Sequence, residues 1–364
     1  VTKLLVSSLV LVLAEQGKLD VDTPIVVYEP RFSEAEWDAS CITLRQLLSH
    51  TSGLDGEILR EAVDNDLTTS QYLAIFNEKK QVDEPGKRFS YCNNGYLVAA
   101  RVVECVVGMS WTEALRKYVL CSLELNDVSL LPGDVTGFVK AIGHVVNGEG
   151  DRGFTAHKRE YVLPACCAAM GTTPMMTVTQ LLQFAASSFF AEGPRIFSNK
   201  TRHSYVAPEV RLPDGAALGT RGWGLGPAIF NWGGTTLYGH DGDTDTFLSY
   251  LRVEPRSGVG VALLTNGGSS ADLAQDVFSE IFGRLIDVRP PCPRPAQMPD
   301  RGHDLAPYVG RYVRQGLEIQ VSIVDGCLKV RSPNANGPLL REGGHVFQNQ
   351  RAELKAPIRL EFGD

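Results

Sequence analysis

No C-x-x-C spacing joins any of the eight cysteines of this 364-residue chain, which are scattered at positions 41, 92, 105, 121, 166, 167, 292 and 327. That absence argues against a structural zinc site and against a small disulfide-stapled scaffold. Free thiols in a reducing cytoplasm are the expected state. Clustered basic charge is missing as well. The formal net charge is −7 and no run of Lys and Arg forms a stripe, so no nucleic-acid partner is expected. Long apolar runs are also lacking. The longest, residues 4–14 (LLVSSLVLVLA), falls short of the roughly 20 residues that a membrane-spanning helix needs, and no membrane partner is expected.

The same run, with Lys3 ahead of it, has the look of a signal-peptide core. It leads into Glu15-Gln16-Gly17-Lys18-Leu19-Asp20, without a small-residue cleavage site and with Gly17 suited to a helix C-cap. The segment therefore reads as a helix buried on nearly all sides. Apolar content of 43% and charge of 21% are those of a soluble globular protein, and the length suggests two or three domains or one large core with an appendage.

From residue 43 to 136 the pattern is mostly helical. Apolar residues at 44–48 keep helical spacing and stop at Ser49-His50-Thr51-Ser52-Gly53, and residues 95–107 and 177–187 predict further amphipathic helices. Pro85-Gly86 and Pro132-Gly133 mark turns. After Gly222 the character changes. The runs at 247–253 (FLSYLRV) and 258–265 (GVGVALLT), joined across Pro255 and Gly258, read as a β-hairpin, and 272–286 returns to helix. Five prolines between 287 and 306 suggest a stiff linker. Beyond it, 308–312, 318–324 and 327–330 are short β runs with Asp325-Gly326 as a turn. The expected fold class is α/β (α+β): an antiparallel central sheet flanked by helices, an all-helical subdomain over about 43–220, and a small all-β appendage.

Three places carry chemistry. Val1-Thr2-Lys3 reads as the end of S-x-x-K, with a Ser expected immediately before Val1. A Ser and a Lys three apart at a helix start lie on one face, one turn apart, where the Lys amine can take the Ser proton as the Ser attacks a carbonyl. Alone, such a Lys is no more than a solvated charge. Tyr91 and Asn93, two apart on an extended turn, point the same way. The Tyr phenol can relay a proton if a Lys ammonium lowers its pKa, and the Asn amide can bond both a substrate carbonyl and the Lys. Against this stands an ordinary half-buried Tyr and an Asn that merely caps a helix. Gly239-His240-Asp241-Gly242 opens towards the strand at 247–253, where glycine allows close approach to a substrate and a backbone N–H can help form an oxyanion hole. The plain alternative there is a Gly-rich turn with an exposed His.

The segment Leu47-Leu48-Ser49-His50-Thr51-Ser52-Gly53-Leu54 resembles the signature of the serine β-lactamase-like family, which takes in class C β-lactamases, D-Ala-D-Ala carboxypeptidases, family VIII esterases and related transacylases. Residues 85–96 (PGKRFSYCNNGY), 170–184, 222–226 (GWGLG) and 239–267 are similar to further family segments in the same order, and the last sixty or so residues look like the β-barrel-like tail of some members. The resemblance implies that His50 is structural, that Lys3 is base or proton shuttle beside the Ser, that Tyr91 is a second proton relay, and that Asn93 positions substrate and Lys3. It gives His240, Gly242 and Asp243 to substrate binding, with the Asp243 N–H as an oxyanion donor. It also implies two strands and a helix ahead of the nucleophile, a catalytic domain over 1–288, a linker over 289–306 and a β-barrel-like domain over 307–364.

His240 stands where β-lactamases usually have Lys, which removes a permanent anchor for a substrate carboxylate and tilts the expectation towards an esterase, amidase or transacylase. Cys92, between two site residues, is expected to face the core, and Cys166 and Cys167 to pack as small hydrophobes. The expected activity is acyl transfer through an acyl-enzyme on a small-molecule ester or amide, with water or an amine or alcohol acceptor, no metal or other cofactor, and a cytoplasmic location. The alternatives are a non-catalytic acyl- or peptide-ligand-binding protein on the same scaffold, which needs something other than Ser before Val1, or a β-lactamase or D-Ala-D-Ala peptidase.

Overall fold

The apolar run at the start of the chain forms helix α1 (Thr2–Glu15), in which every residue from Thr2 to Leu13 is buried. A helix apolar on all faces has no side to offer to water, so it is driven into the interior. It stops where the sequence suggests. Gly17 takes a φ of 67°, and the N–H groups of Gly17 and Lys18 bond the carbonyls of Ala14 and Leu13 at 2.9 and 3.0 Å. The computed structural model describes residues 1–56, 67–131, 140–146, 153–156, 165–171, 175–212, 219–244, 246–268, 270–291, 304–314, 317–332, 335–343, 346–349 and 359–361.

Helices α2 (Leu44–Leu48), α3 (Thr69–Asn77), α4 (Asn93–Val107), α5 (Trp111–Leu115), α6 (Val178–Phe189), α7 (Asn199–Val206) and α8 (Ser270–Ile286) come after it in the chain. Four start on reciprocal capping boxes: Thr43 with Gln46, Thr68 with Gln71, Ser110 with Glu113 and Thr177 with Gln180. Each box satisfies two orphan backbone N–H groups and so fixes where the helix begins. Helix α4 starts two residues earlier than its apolar pattern suggests. Its cap is Cys92, whose sulfur accepts the Gly95 N–H at 3.2 Å, and Asn93 is already helical rather than the cap. The stretch read as all-helical also contains a short antiparallel hairpin, β1 (His144–Val146) with β2 (Phe154–Ala156), and strand β3 (Val210–Arg211). These are strands of two or three residues, too short to show a periodicity.

Six antiparallel strands form the central sheet in chain order: β3, β4 (Thr220–Trp223), β5 (Ala228–Trp232), β6 (Thr235–Thr244), β7 (Phe247–Glu254) and β8 (Val259–Thr265). Residues 239–242 are not a turn that opens a strand; they lie inside β6. Pairing of β6 with β5 ends at Gly239, whereas pairing with β7 runs on to Thr244. Among the described residues, the second half of β6 therefore extends past the end of its pairing with β5. Along β7 the faces alternate: Leu251 and Val253 join the core around α1, while Tyr250 joins the cluster with Phe278 and Phe282 of α8. His240, opposite Leu251, lies on the α1 face, and Asp241, opposite Tyr250, on the α8 face. No helix among the described residues is long and apolar enough to cross a membrane.

Contacts divide the chain into one unit of Val1–Ser270 and Ala274–Pro291 and a second of Cys292–Asp364 with Ala271–Leu273. Most of the Pro-rich stretch, residues 292–303, lies outside the described residues. The described strands of the second unit are β9 (Gly310–Arg314), β10 (Leu317–Val324), β11 (Cys327–Ser332), β12 (Ala335–Gly343), β13 (Val346–Asn349) and β14 (Arg359–Glu361), an antiparallel meander over Tyr308, Val321, Leu328, Val330, Leu339 and Phe347. Asp325 and Gly326 turn β10 into β11 with φ of 52° and 75°, the mirror-image turn that matches strand twist. Tyr308 sits in a short helical turn (Ala306–Tyr308) ahead of β9 instead of in the strand, since Pro307 has no N–H to give a ladder.

Candidate active site

Lys3 lies in the first turn of α1 and is buried. Its Nζ donates to Asn93 Oδ1 at 2.8 Å and, at short range, to the carbonyl of Met170. It also lies over the faces of Tyr91 and Tyr96, 4.9 and 5.5 Å from the ring centres. The Cys92 cap makes this possible. With Cys92 extended as the cap and α4 starting at Asn93, the Asn93 side chain reaches Lys3 from the first turn of the helix. The Tyr91 hydroxyl is 3.5 Å from Nε2 of His240. Nδ1 of His240 bonds the Asp241 carbonyl at short range, and a carbonyl can only accept, so the proton sits on Nδ1 and Nε2 is free to accept from Tyr91. Trp223 stands edge-on to His240, ring centres 5.5 Å apart, and closes the cluster from the sheet side.

Gly242 borders the start of α1. A Cβ there would lie 2.6 Å from Ser249 Oγ and 3.2 Å from the backbone nitrogen of Val1, so only glycine lets β6 pass so close. Asp243 comes next, exposed and opposite Leu248. Lys3, Tyr91, Asn93 and His240, distant in sequence, thus meet in one cluster, with Gly242 against the residue next to the expected nucleophile. His50 lies beneath Tyr91, their ring centres 4.3 Å apart.

Burial lowers the Lys3 pKa to about 7, against a small opposing influence of Cys92. Near neutral pH a large share of Lys3 is therefore the free amine, able to take a proton. His240 and His50 are pushed well below the ordinary histidine value, by burial first and by the Lys3 charge in addition, and both are neutral. The Tyr91 phenol is raised, by burial and then by the Asp241 charge, although its 38% exposure lets water moderate the effect. This reverses the expectation of a Lys ammonium lowering the phenol. Nζ lies over the ring face instead of at the hydroxyl, and its own charge is half lost. Burial pushes the Cys92 thiol up to about 12, so it is no nucleophile; the side chains of Cys166 and Cys167 lie outside those described. Among the described residues no three His, Cys, Asp or Glu side chains converge as a metal site.

Sequence reasoning missed three contributors. The Met170 carbonyl is a backbone atom and leaves no trace in residue types. Trp223 was visible only as part of a strand motif. Arg252 was visible as a lone charge within FLSYLRV. Fully buried against the Phe230 ring (3.7 Å), it grips Asp241 with two bonds of 2.6 and 3.0 Å.

A family model described as Beta-lactamase matches residues 1–282. Penicillin-binding protein 4 of Amycolatopsis lactamdurans is 32% identical over 323 residues, which cover 87% of this chain and 84% of that protein. Among solved structures, SurE with D-Leu superposes with a TM-score of 0.75 at 23% identity, covering 100% of this chain and 81% of that one. A D-stereospecific amidohydrolase from Streptomyces sp. superposes with a TM-score of 0.61 at 20% identity, covering 73% and 80%. At such identities the structural likeness is one of fold.

Proposed function

The chain belongs to the Beta-lactamase family, and on that premise we propose that it is a serine acyl-transfer hydrolase whose nucleophile is a Ser immediately before Val1. The observation that carries this reading is the buried Lys3 amine, held between Asn93 Oδ1 and the Met170 carbonyl with its pKa near 7. A Ser one helical turn before it presents its hydroxyl to that amine. The Ser oxygen attacks the substrate carbonyl while its proton passes to Lys3. The resulting oxyanion accepts from the Ser N–H and from the Asp243 N–H of β6. Collapse expels the amine or alkoxide, and the proton that Lys3 took from the Ser reaches it by way of the Tyr91 hydroxyl. That hydroxyl gives its own proton to the leaving group and regains one from Lys3, so that Tyr91 is again the phenol that its high pKa favours. Water, or an amine or alcohol acceptor, then takes the acyl group.

Neutral His240, in place of a lysine, gives no fixed cation for a substrate carboxylate, which favours amide and ester substrates over β-lactams. Two proteins of this fold, one solved with D-Leu and one named a D-stereospecific amidohydrolase, support an acyl group with a D-configured residue at the scissile carbonyl. The test uses the full-length protein. A fluorophosphonate probe labels the Ser before Val1, and Lys3→Ala removes the label. A p-nitrophenyl ester of a D-amino acid turns over faster than its L-enantiomer. A protein that takes no label, or has Gly or Ala before Val1, ends the catalytic reading; equal rates for both enantiomers end the D-acyl assignment.

A further inference from the structure

His50 is fully buried at the end of α2 with a φ of 60°, a left-handed conformation that few side chains adopt. It holds the segment before α4 at two points: its carbonyl accepts the Ser90 N–H at 2.8 Å, and its Nδ1 accepts the Cys92 N–H at 3.0 Å. Between those points lies Tyr91, its ring tilted 31° on the imidazole face. Phe89, Tyr96 and Trp223 enclose the same imidazole at 5.8, 5.3 and 5.0 Å. Nε2 finds no hydrogen-bond partner among the described residues. An apolar ring would fill this space without an orphaned N–H. What an apolar ring would not supply is an acceptor for the backbone of the residue between Tyr91 and Asn93.

We propose that His50 is a positioning residue of the acyl-transfer site. Its Nδ1 fixes the Cys92 backbone and its face supports the Tyr91 ring, so that the Tyr91 hydroxyl meets His240 and the Asn93 amide meets Lys3. His50 does not itself relay a proton, since Nδ1 is committed to the Cys92 N–H and the ring is sealed from solvent. The proposal rests on the serine acyl-transfer reading of the same site.

The test uses the full-length protein and two substitutions that separate ring from acceptor. His50→Phe keeps the ring and loses the acceptor. His50→Asn puts Oδ1 where Nδ1 was and tolerates the left-handed backbone. With an activated ester, His50→Phe should lower kcat by about tenfold or more with KM little changed, because a small misplacement of reacting groups costs rate. The thermal midpoint should fall as well, since the buried Cys92 N–H loses its acceptor and Phe is strained at this φ. His50→Asn should recover most of that loss. Equal losses in both variants, or a Phe variant as fast as the parent, overturns the proposal. A second measurement needs no variant and no activity. Histidine 15N shifts of the parent protein should show His50 as the Nε2–H tautomer, unchanged between about pH 5 and pH 8. A proton on Nδ1, or titration in that range, overturns the proposal even if the variants fail to fold. A parent protein that takes no fluorophosphonate label overturns the acyl-transfer reading instead, and the shifts still decide whether His50 holds Cys92.

Discussion

Nζ of Lys3 lies 2.8 Å from Oδ1 of Asn93, a residue ninety positions away. The contact joins the first turn of α1 to the first residue of α4, and it holds a buried amine that burial has brought to a pKa of about 7. The amine acts as base only when neutral, so the acylation rate should rise as pH rises through about 7 and level off above it. Fluorophosphonate labelling followed against pH measures this. A rate that is flat or falling across neutrality would remove Lys3 as the base.

Stability carries the same sign. An unfolded Lys stays protonated up to about 10.5, so between about 7 and 10.5 the unfolded state binds the extra proton and this group makes stability rise with pH, by at most about 1.4 kcal/mol per unit. The penalty is fully present below about 7. Urea unfolding of the parent and of Lys3→Met at several alkaline pH values should show the slope in the parent and its loss in the variant. Identical slopes contradict the depressed pKa.

Arg252 is wholly buried while the Asp241 side chain is 38% exposed, so the two halves of this ion pair are not equivalent. Asp241→Ala strands a guanidinium that has no access to water and should cost about 3–5 kcal/mol. Arg252→Met leaves a carboxylate that water can reach and should cost clearly less. Denaturant midpoints of the two variants decide it, and the reverse order would be the failing result.

Gly242→Ala drives a Cβ towards Ser249 Oγ and the Val1 backbone. The Ser249 hydroxyl can rotate away; the Val1 backbone cannot. We expect a fall in kcat of about a hundredfold, from displacement of reacting atoms. Adding Ser249→Ala should leave that fall in place. Recovery of kcat in the double variant would trace the effect to Ser249 alone.

Cys41 and Cys121 are exposed, whereas Cys92 is buried and its thiol is pushed up to about 12. Iodoacetamide on the native protein should alkylate the first two and spare Cys92 until the protein is unfolded, as peptide mass mapping would show. Early modification of Cys92 would mean that the α4 start is open to solvent.

The sequence made the interior helix legible because residues 4–14 leave no polar face, whereas the Thr-x-x-Gln pairs that fix several helix starts do not show in the apolar spacing. It pointed to Lys3, Tyr91, Asn93 and His240 by type and order, and the fold brings those four together. Other features were hidden for physical reasons. The Met170 carbonyl belongs to every residue type alike. Residues 239–242 carry two glycines, which leaves a Gly-rich turn open as an alternative, yet Gly239 is needed within a strand, where a Cβ would meet the Leu251 carbonyl at 1.8 Å. The direction of the Tyr91 shift depends on whether Lys3 reaches the hydroxyl or the ring face, which only coordinates can tell. The partnership of Asp241 with Arg252 depends on the β6–β7 register.

The central claim is that the residue before Val1 becomes acylated with Lys3 as its base. Rapid acid quench of the full-length protein with a p-nitrophenyl D-amino acid ester, combined with peptide mass mapping, tests it directly. The acyl mass is expected on the Ser immediately before Val1, and its loss is expected in Lys3→Ala. An acyl mass on any other residue, or turnover with no acylated protein at any quench time, would contradict it.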